Sequence, residues 1–274
     1  MDAQVAMFET PWSEFTGQGE DYDHYRPHYP AEVATVILQH IRIAGLSGLA
    51  ADVGSGTGLF TRVLATELRG VARVVGVEPN ADMARVARDS TAAELGVTYK
   101  VASAEALPFP PLSLCAATAA TAAHRFDRSA FFDEVSRTMK AGGMLALVHN
   151  RHRYWDSAAI ADYHAFVESC TPEYQRGMCT TAHGTYAHVD FAAELSTDRR
   201  FADVHVKRWE WDFTTDLTGF LSLSLTSSII QRSAAVIGRQ AVVDKLSALF
   251  DRYSKNGLLD QAHVTEVTYA TKRA

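Results

Sequence analysis

The run from Leu49 to Leu68 constrains the fold more than any other part of the chain. A short apolar stretch, broken by Asp52, ends in Gly54-Ser55-Gly56-Thr57-Gly58, and an apolar helical run over 59–68 follows and stops at Gly70. Strand, glycine loop and helix in that order mark the first unit of an open α/β sheet. The rhythm then repeats. Residues 73–77 read as a second buried strand ending in Glu78-Pro79, and Asn80 can cap a helix that carries Met83, Val86 and Ala87 on one face. A third strand is expected over 98–103, before a proline-rich loop at 107–111, and a fourth over 114–118. Asp127 is a plausible cap for a helix over 128–140, with Phe131, Val135 and Met139 four apart on one face. Gly142-Gly143 should stop that helix before a fifth strand over 144–148. Five strands alternating with helices predict a doubly wound, mostly parallel sheet covered on both faces. Further on, 204–213 alternates as a strand, 217–250 is largely helical and 263–271 closes the pattern as a last strand.

Composition narrows the function class. The chain has 274 residues, with 26 Lys+Arg against 32 Asp+Glu, a net charge of −6 and no basic run. A nucleic-acid track would need a basic patch, so a small-molecule partner is expected instead. No apolar stretch reaches the ~20 residues of a membrane span, and the N-terminus has no basic and apolar leader pattern, so a cytoplasmic protein is expected. Three widely spaced cysteines, Cys115, Cys170 and Cys179, form no CxxC pair, and no HExxH appears, so no metal site is expected.

Gly54, Gly56 and Gly58 lack a Cβ where a ligand would approach the backbone. A NAD fingerprint, GxGxxG, would want its third glycine where Leu59 stands, which favours a ligand without a pyrophosphate. Glu78 lies at the end of the next strand, where an acid can accept hydrogen bonds from both hydroxyls of a ribose.

Five segments occur in order: Asp52-Val53-Gly54-Ser55-Gly56-Thr57-Gly58, Val77-Glu78-Pro79-Asn80-Ala81-Asp82-Met83, Ala104-Glu105-Ala106-Leu107-Pro108-Phe109, His124-Arg125-Phe126-Asp127 and Lys140-Ala141-Gly142-Gly143. Over about residues 22–150 the chain resembles a class I S-adenosylmethionine-dependent methyltransferase of the small-molecule, type 11 kind. Tyr22-x-x-x-Arg26-Pro27-x-Tyr29-Pro30 is similar to a branch that includes the trans-aconitate-type enzymes. The resemblance implies a Rossmann-like, seven-stranded, mostly parallel sheet with the last strand antiparallel, plus a helical cap and an N-terminal arm. It also implies that Gly54, Ser55, Gly56 and Gly58 bracket the methionyl part of the cofactor and that Asp52 assists its amino group. Glu78 would hold the ribose, Pro79 and Met83 would pack around sugar and adenine, Ser103, Ala104 and Glu105 would face the adenine edge, and Ala119 would complete the set. The chain departs from the pattern in carrying Ser103 where the family often has an acid. It also carries Pro111-Leu112-Ser113-Leu114-Cys115 in place of Asp-x-Ser-Phe-Asp.

The expected division is an arm or lid over 1–30 and a methyltransferase domain over 31–274, with a substrate cap inserted at about 150–200. On the arm, Tyr22, Tyr25 and Tyr29 can lay ring faces near a sulfonium, and Arg26 can pair with the cofactor carboxylate. Tyr22 and Arg26 are the stronger candidates. Phe8, Trp12 and Phe15 form an apolar stripe that packs on its own domain or docks on a second subunit, as in a homo-oligomer. His124, His149 and His152 follow the fourth and fifth strands, where a general base for the acceptor can sit, but each reads first as a hydrogen-bonded structural or pocket-wall histidine, and none stands out as the base. Tyr154, Trp155, Tyr163, Phe166, Tyr174, Tyr186, Trp209, Trp211 and Phe213 suit an apolar or aromatic acceptor, such as a secondary metabolite methylated on carbon or oxygen, and fit an ordinary core equally well. The competing expectations are an NAD-dependent oxidoreductase and a cofactor-binding protein without turnover.

Overall fold

A computed structural model describes residues 15–274. In chain order its elements are α1 (Gly19–Tyr25), α2 (Ala31–Ile43), β1 (Gly48–Val53), α3 (Leu59–Glu67), β2 (Ala72–Val77), α4 (Ala81–Asp89), β3 (Thr98–Lys100), β4 (Leu114–Ala120), α5 (Arg128–Thr138) and β5 (Met139–His152). There follow α6 (Ala158–Cys170), β6 (Cys179–Thr180), β7 (Tyr186–Ala187), α7 (Phe191–Thr197), β8 (Phe201–Thr215), α8 (Leu217–Leu225), α9 (Ser228–Ile237), α10 (Arg239–Tyr253) and β9 (Leu259–Lys272).

Seven strands form one mixed sheet in the order β3-β2-β1-β4-β5-β9-β8. The first five pair in parallel. The last strand is antiparallel to β5: Thr265 bonds Asn150 while Ala262 bonds Arg153, so numbers fall on one strand as they rise on the other. Its pairing with β8 runs the same way, with Arg208 bonded to Glu266 and Thr214 to Asp260. The expected Rossmann-like, doubly wound fold with an antiparallel last strand is therefore present.

The described residues divide into two compact units. One contains His28–Asn150, Val189–Trp209 and Thr265–Ala274. Here alternate strand residues feed two cores, as the period of two requires. Ala51, Val53, Val75, Val77, Ala117 and Ala119 face one side, under Phe131, Phe132 and Val135 of α5 and Phe191 and Leu195 of α7. Ala50, Val74, Ala116, Ala146 and Val148 face the other, under Val33, Ile37 and Ile41 of α2 and Phe60 and Leu64 of α3. Burial on both faces explains why these strands read as near-continuous apolar runs.

The other unit contains the described residues up to Pro27 together with Arg151–His188 and Glu210–Val264. Helices α6, α8, α9 and α10 pack around Tyr163, Val167, Phe220, Ile230, Val242, Leu246 and Phe250, and α1 lies against α8. Phe15 meets Tyr22 edge to face at 5.9 Å, whereas Phe8 and Trp12 lie outside the described residues. Among the described residues no single helix is long and apolar enough to cross a membrane.

Two local expectations need correction. The helix over 128–140 ends at Thr138, and β5 begins at Met139, so Gly142-Gly143 lie inside the strand rather than before it. The register against β4 jumps there, from Leu114↔Met139 to Ala116↔Met144, so the glycines form an irregularity in the ladder. At Gly143 a Cβ would come within 2.6 Å of Met139 Cγ and 3.0 Å of the Cys115 carbonyl oxygen, so only glycine fits. The strand expected over 98–103 stops at Lys100, because its one ladder partner, β2, ends at Val77.

Candidate cofactor site

The loop after β1 is fastened from below. The Gly54 and Ser55 N–H groups both donate to the Val77 carbonyl, at 2.8 and 3.0 Å, which ties the loop to the end of β2. Gly54 has φ +68°, and a Cβ there would meet Ala122 Cβ at 2.6 Å and Phe126 Cζ at 3.0 Å, so both backbone angle and space demand glycine. Gly56 also has positive φ, but in front of it a Cβ would meet only Met83 Cε, at 3.9 Å. The loop is closed behind Gly54 and open before Gly56.

Asp52 and Glu78 are buried acids that organise this loop. Asp52 accepts hydrogen bonds from the Thr61 hydroxyl at 2.6 Å and the Thr118 hydroxyl at 2.9 Å, joining β1 to α3 and β4. Burial outweighs those bonds and pushes its pKa up to about 6. Glu78 bridges two backbone donors: the Gly56 N–H at 2.8 Å and the Asn80 N–H at 2.9 Å. Burial pushes Glu78 up to about 7, against the pull of those two N–H groups and with a further push from Asp52. Each carboxylate oxygen of Glu78 spends one lone pair on the backbone and keeps another for a ligand donor. Asn80 caps α4 as expected, accepting from the Asp82 and Met83 N–H groups at 3.0 and 3.2 Å.

The remaining residues implied by the resemblance take varied positions. Pro79 sits half-buried between Glu78 and the α4 cap, Met83 is buried beside Gly56, and Ala104 and Ala119 belong to the core under α5. Glu105 accepts from the Asp127 N–H at 3.0 Å, and the Ser103 carbonyl accepts from the Ala106 N–H at 3.3 Å. Tyr22 and Arg26 lie in the helical unit, with the Arg26 guanidinium 4.6 Å from the Tyr22 ring centre. Arg26 donates from Nε and Nη2 to the Thr226 hydroxyl and carbonyl, at 3.2 and 3.0 Å. Tyr29, in the sheet unit, bonds the Thr121 hydroxyl at 3.0 Å. His124 and His149 are buried and stack on one another with ring centres 5.5 Å apart.

Some supports were not singled out from the sequence. Tyr99 on β3 fills the space under the loop: a Cβ on Gly58 or on Gly76 would collide with its ring. Gly76 in an otherwise apolar strand was the available signal, since such a glycine marks a close approach. Thr61 and Thr118 carried no signal, because their partner is an acid distant in sequence.

Residues 51–147 match the family model for a methyltransferase domain, a span that runs from β1 through the glycine loop and Glu78 into β5. Residues 51–147 carry a methyltransferase domain. The cofactor of such a domain is S-adenosylmethionine. A protein of Dictyostelium discoideum named as a methyltransferase is 29% identical over 133 residues, which is 48% of this chain and 47% of that one. An uncharacterized methyltransferase of Mycobacterium bovis is 33% identical over 129 residues, 47% of this chain and 49% of its own. The chain thus spans about half the length of the curated relatives it matches. Among solved structures, one from Anaeromyxobacter dehalogenans described as a type II methyltransferase has a TM-score of 0.65 at 23% identity, covering 91% of this chain and 98% of that one. The phosphoethanolamine N-methyltransferase 2 of Haemonchus contortus, solved with S-adenosyl-L-methionine, has a TM-score of 0.52 at 18% identity, covering 97% of this chain and 58% of that one. At these identities the likeness is one of fold.

The residues of the methyltransferase domain fit its cofactor on their own chemistry. Gly56 leaves a cradle that a Cβ would fill, and Glu78 keeps acceptor capacity. The Ser55 and Thr57 hydroxyl oxygens are buried and have no hydrogen-bond partner among the described residues. Unpaired buried hydroxyls are costly, and they occur where a ligand or water completes them.

Proposed function

We propose that this chain transfers a methyl group from S-adenosylmethionine to a small-molecule acceptor that is apolar or aromatic, of the kind found in secondary metabolism. The observation that carries the reading is Glu78, a buried carboxylate that pins the loop to the α4 N-terminus and keeps lone pairs for two hydroxyls. Bound at this loop, the cofactor would supply an activated methyl group on a sulfonium.

The chain's own work is then binding, orientation and exclusion of water, because a sulfonium leaving group needs little covalent help. Glu78 would accept hydrogen bonds from the ribose hydroxyls, Gly56 would leave the ligand room, and Met83 and Pro79 would pack against it. Asp52, held by Thr61 and Thr118, supplies negative charge beneath the loop for the amino group. Support for an aromatic or apolar acceptor comes from the helical unit, where Tyr154, Tyr163, Tyr174, Trp211 and Phe213 form a connected set of ring contacts with His152, His164 and His263. Isothermal calorimetry with S-adenosylhomocysteine tests the reading: saturable one-site binding supports it, and no heat of binding to folded protein overturns it.

A further inference from the structure

The helical unit holds a hydrogen-bond chain whose direction can be worked out. The Tyr174 hydroxyl is 3.1 Å from His164 Nδ1, and His164 Nε2 is 3.2 Å from His152 Nδ1. Tyr174 is 4% exposed and has no other hydrogen-bond partner among the described residues. A buried O–H must donate, so Tyr174 donates to His164 Nδ1. A neutral imidazole carries one proton, so His164 must hold its own on Nε2 and donate to His152 Nδ1. His152 in turn must hold its proton on Nε2. No described residue bonds that nitrogen, and the His152 side chain keeps partial exposure.

Neutrality of all three groups follows from their surroundings. Burial pushes Tyr174 above the range in which it ionises, holds His164 down to about 4, and holds His152 well below its ordinary value. Of the charged or titratable groups around His152, His263 from β9, His164 from α6 and Arg26 from the segment after α1 all push its pKa down, and the Tyr163 ring of α6 meets it edge-on at 5.5 Å. His263 has the opposite tautomer: its Nδ1 lies 2.8 Å from the Gln261 carbonyl oxygen, which can only accept, so Nδ1 carries the proton. Trp211 stacks on that ring at 4.9 Å, and His263 meets His152 edge-on at 4.9 Å.

We propose that His152 Nε2–H, aimed by the chain from Tyr174 through His164, recognises an anionic oxygen on an aromatic ligand, with Arg26 supplying positive charge nearby. His164 and Tyr174 are positioning residues. Identifying that ligand as the methyl acceptor rests on the proposed function, whereas the site itself does not. A fixed donor among aromatic rings selects an aromatic carboxylate over an amine, because an ammonium group meets a donor and a guanidinium.

The test uses the full chain, with benzoate, phenol and benzylamine as probes. Long-range proton–nitrogen NMR of the histidine rings should show His152 protonated on Nε2 and His263 on Nδ1, and Tyr174→Phe should mix the His152 tautomers. Benzoate should shift the His152 resonances saturably, phenol should do so more weakly and benzylamine should not. His152→Phe should weaken benzoate at least tenfold, while His152→Gln, which keeps an N–H donor, should hold most of the affinity. A His152 ring protonated on Nδ1, no saturable benzoate shift, or equal binding of benzoate and benzylamine overturns the proposal. Failure of S-adenosylhomocysteine to bind would overturn the proposed function and leave this site standing.

Discussion

Glu78→Gln separates the two demands placed on the Glu78 carboxylate. In the folded chain its pKa is about 7 against an ordinary 4.5. At 1.36 kcal/mol per unit, that displacement is a cost of about 3 kcal/mol for keeping the group ionised in the fold. The folded state holds this proton more tightly than the unfolded chain, so the Glu78 contribution to stability falls as pH rises from 4.5 through about 7 and is level above that. Gln never ionises, so the variant lacks this slope. Its amide instead presents an NH2 to one of two backbone donors, Gly56 or Asn80, at a pH-independent cost of about 1–3 kcal/mol. Urea unfolding should therefore find the variant less stable than the parent at pH 4.5, and equal or more stable at pH 8. The difference between the two proteins should move by about 3 kcal/mol across that window. Asp52 titrates in both proteins, and because its charge pushes Glu78 up, the part of the change that comes from that coupling is counted in the difference. A difference that stays constant from pH 4.5 to 8 refutes the buried, raised carboxylate. The same variant should bind S-adenosylhomocysteine about 10- to 150-fold more weakly, the loss of hydrogen bonds to a charged acceptor.

Three further substitutions probe the frame of the loop. Gly54→Ala forces a side chain into positive φ and against Ala122 and Phe126, and should destabilise by about 3 kcal/mol in urea unfolding, with loss of cofactor binding. Thr61→Val removes one of the two hydroxyls on Asp52, and should raise the Asp52 pKa above about 6 and destabilise by about 1–3 kcal/mol, read by carboxyl NMR titration and unfolding. Tyr99→Ala empties the space beneath Gly58 and Gly76, and should lower stability by about 1–3 kcal/mol, less than for a fully buried ring, while leaving the Glu78 bonds to Gly56 and Asn80 in place.

What the sequence disclosed and what it withheld divide along distance in the chain. The strand, loop and helix around Gly54-Ser55-Gly56, the Asn80 cap and the Asp127 cap all rest on residues within three positions of one another, and all three are where spacing puts them. Gly142-Gly143 misled for the same local reason: a glycine pair reads as a helix stop, and only the register of β4 against β5 shows it to be a strand irregularity. Asp52 is visible in the sequence as an acid near the end of its strand, but the two hydroxyls that fix it, one from nine residues away and one from 66, are not.

The helical unit is the extreme case. It is assembled from three separated stretches, so Arg26 finds Thr226 two hundred residues on, and no spacing rule connects His152 with His263. The proton order from Tyr174 to His152 is a property of burial and of one hydroxyl having one partner, neither of which is written in residue order. The proposed cofactor site therefore draws on short-range patterns that a family can share over 51–147, whereas the proposed ligand site in the helical unit draws on long-range contacts outside that span. If the directed histidine chain sets ligand choice, specificity can change by altering Tyr174 or His164 with the glycine loop untouched. Tyr174→Phe should then relax the preference for benzoate over benzylamine without changing S-adenosylhomocysteine affinity, and a parallel loss of both would tie the two units' chemistry together and refute that separation.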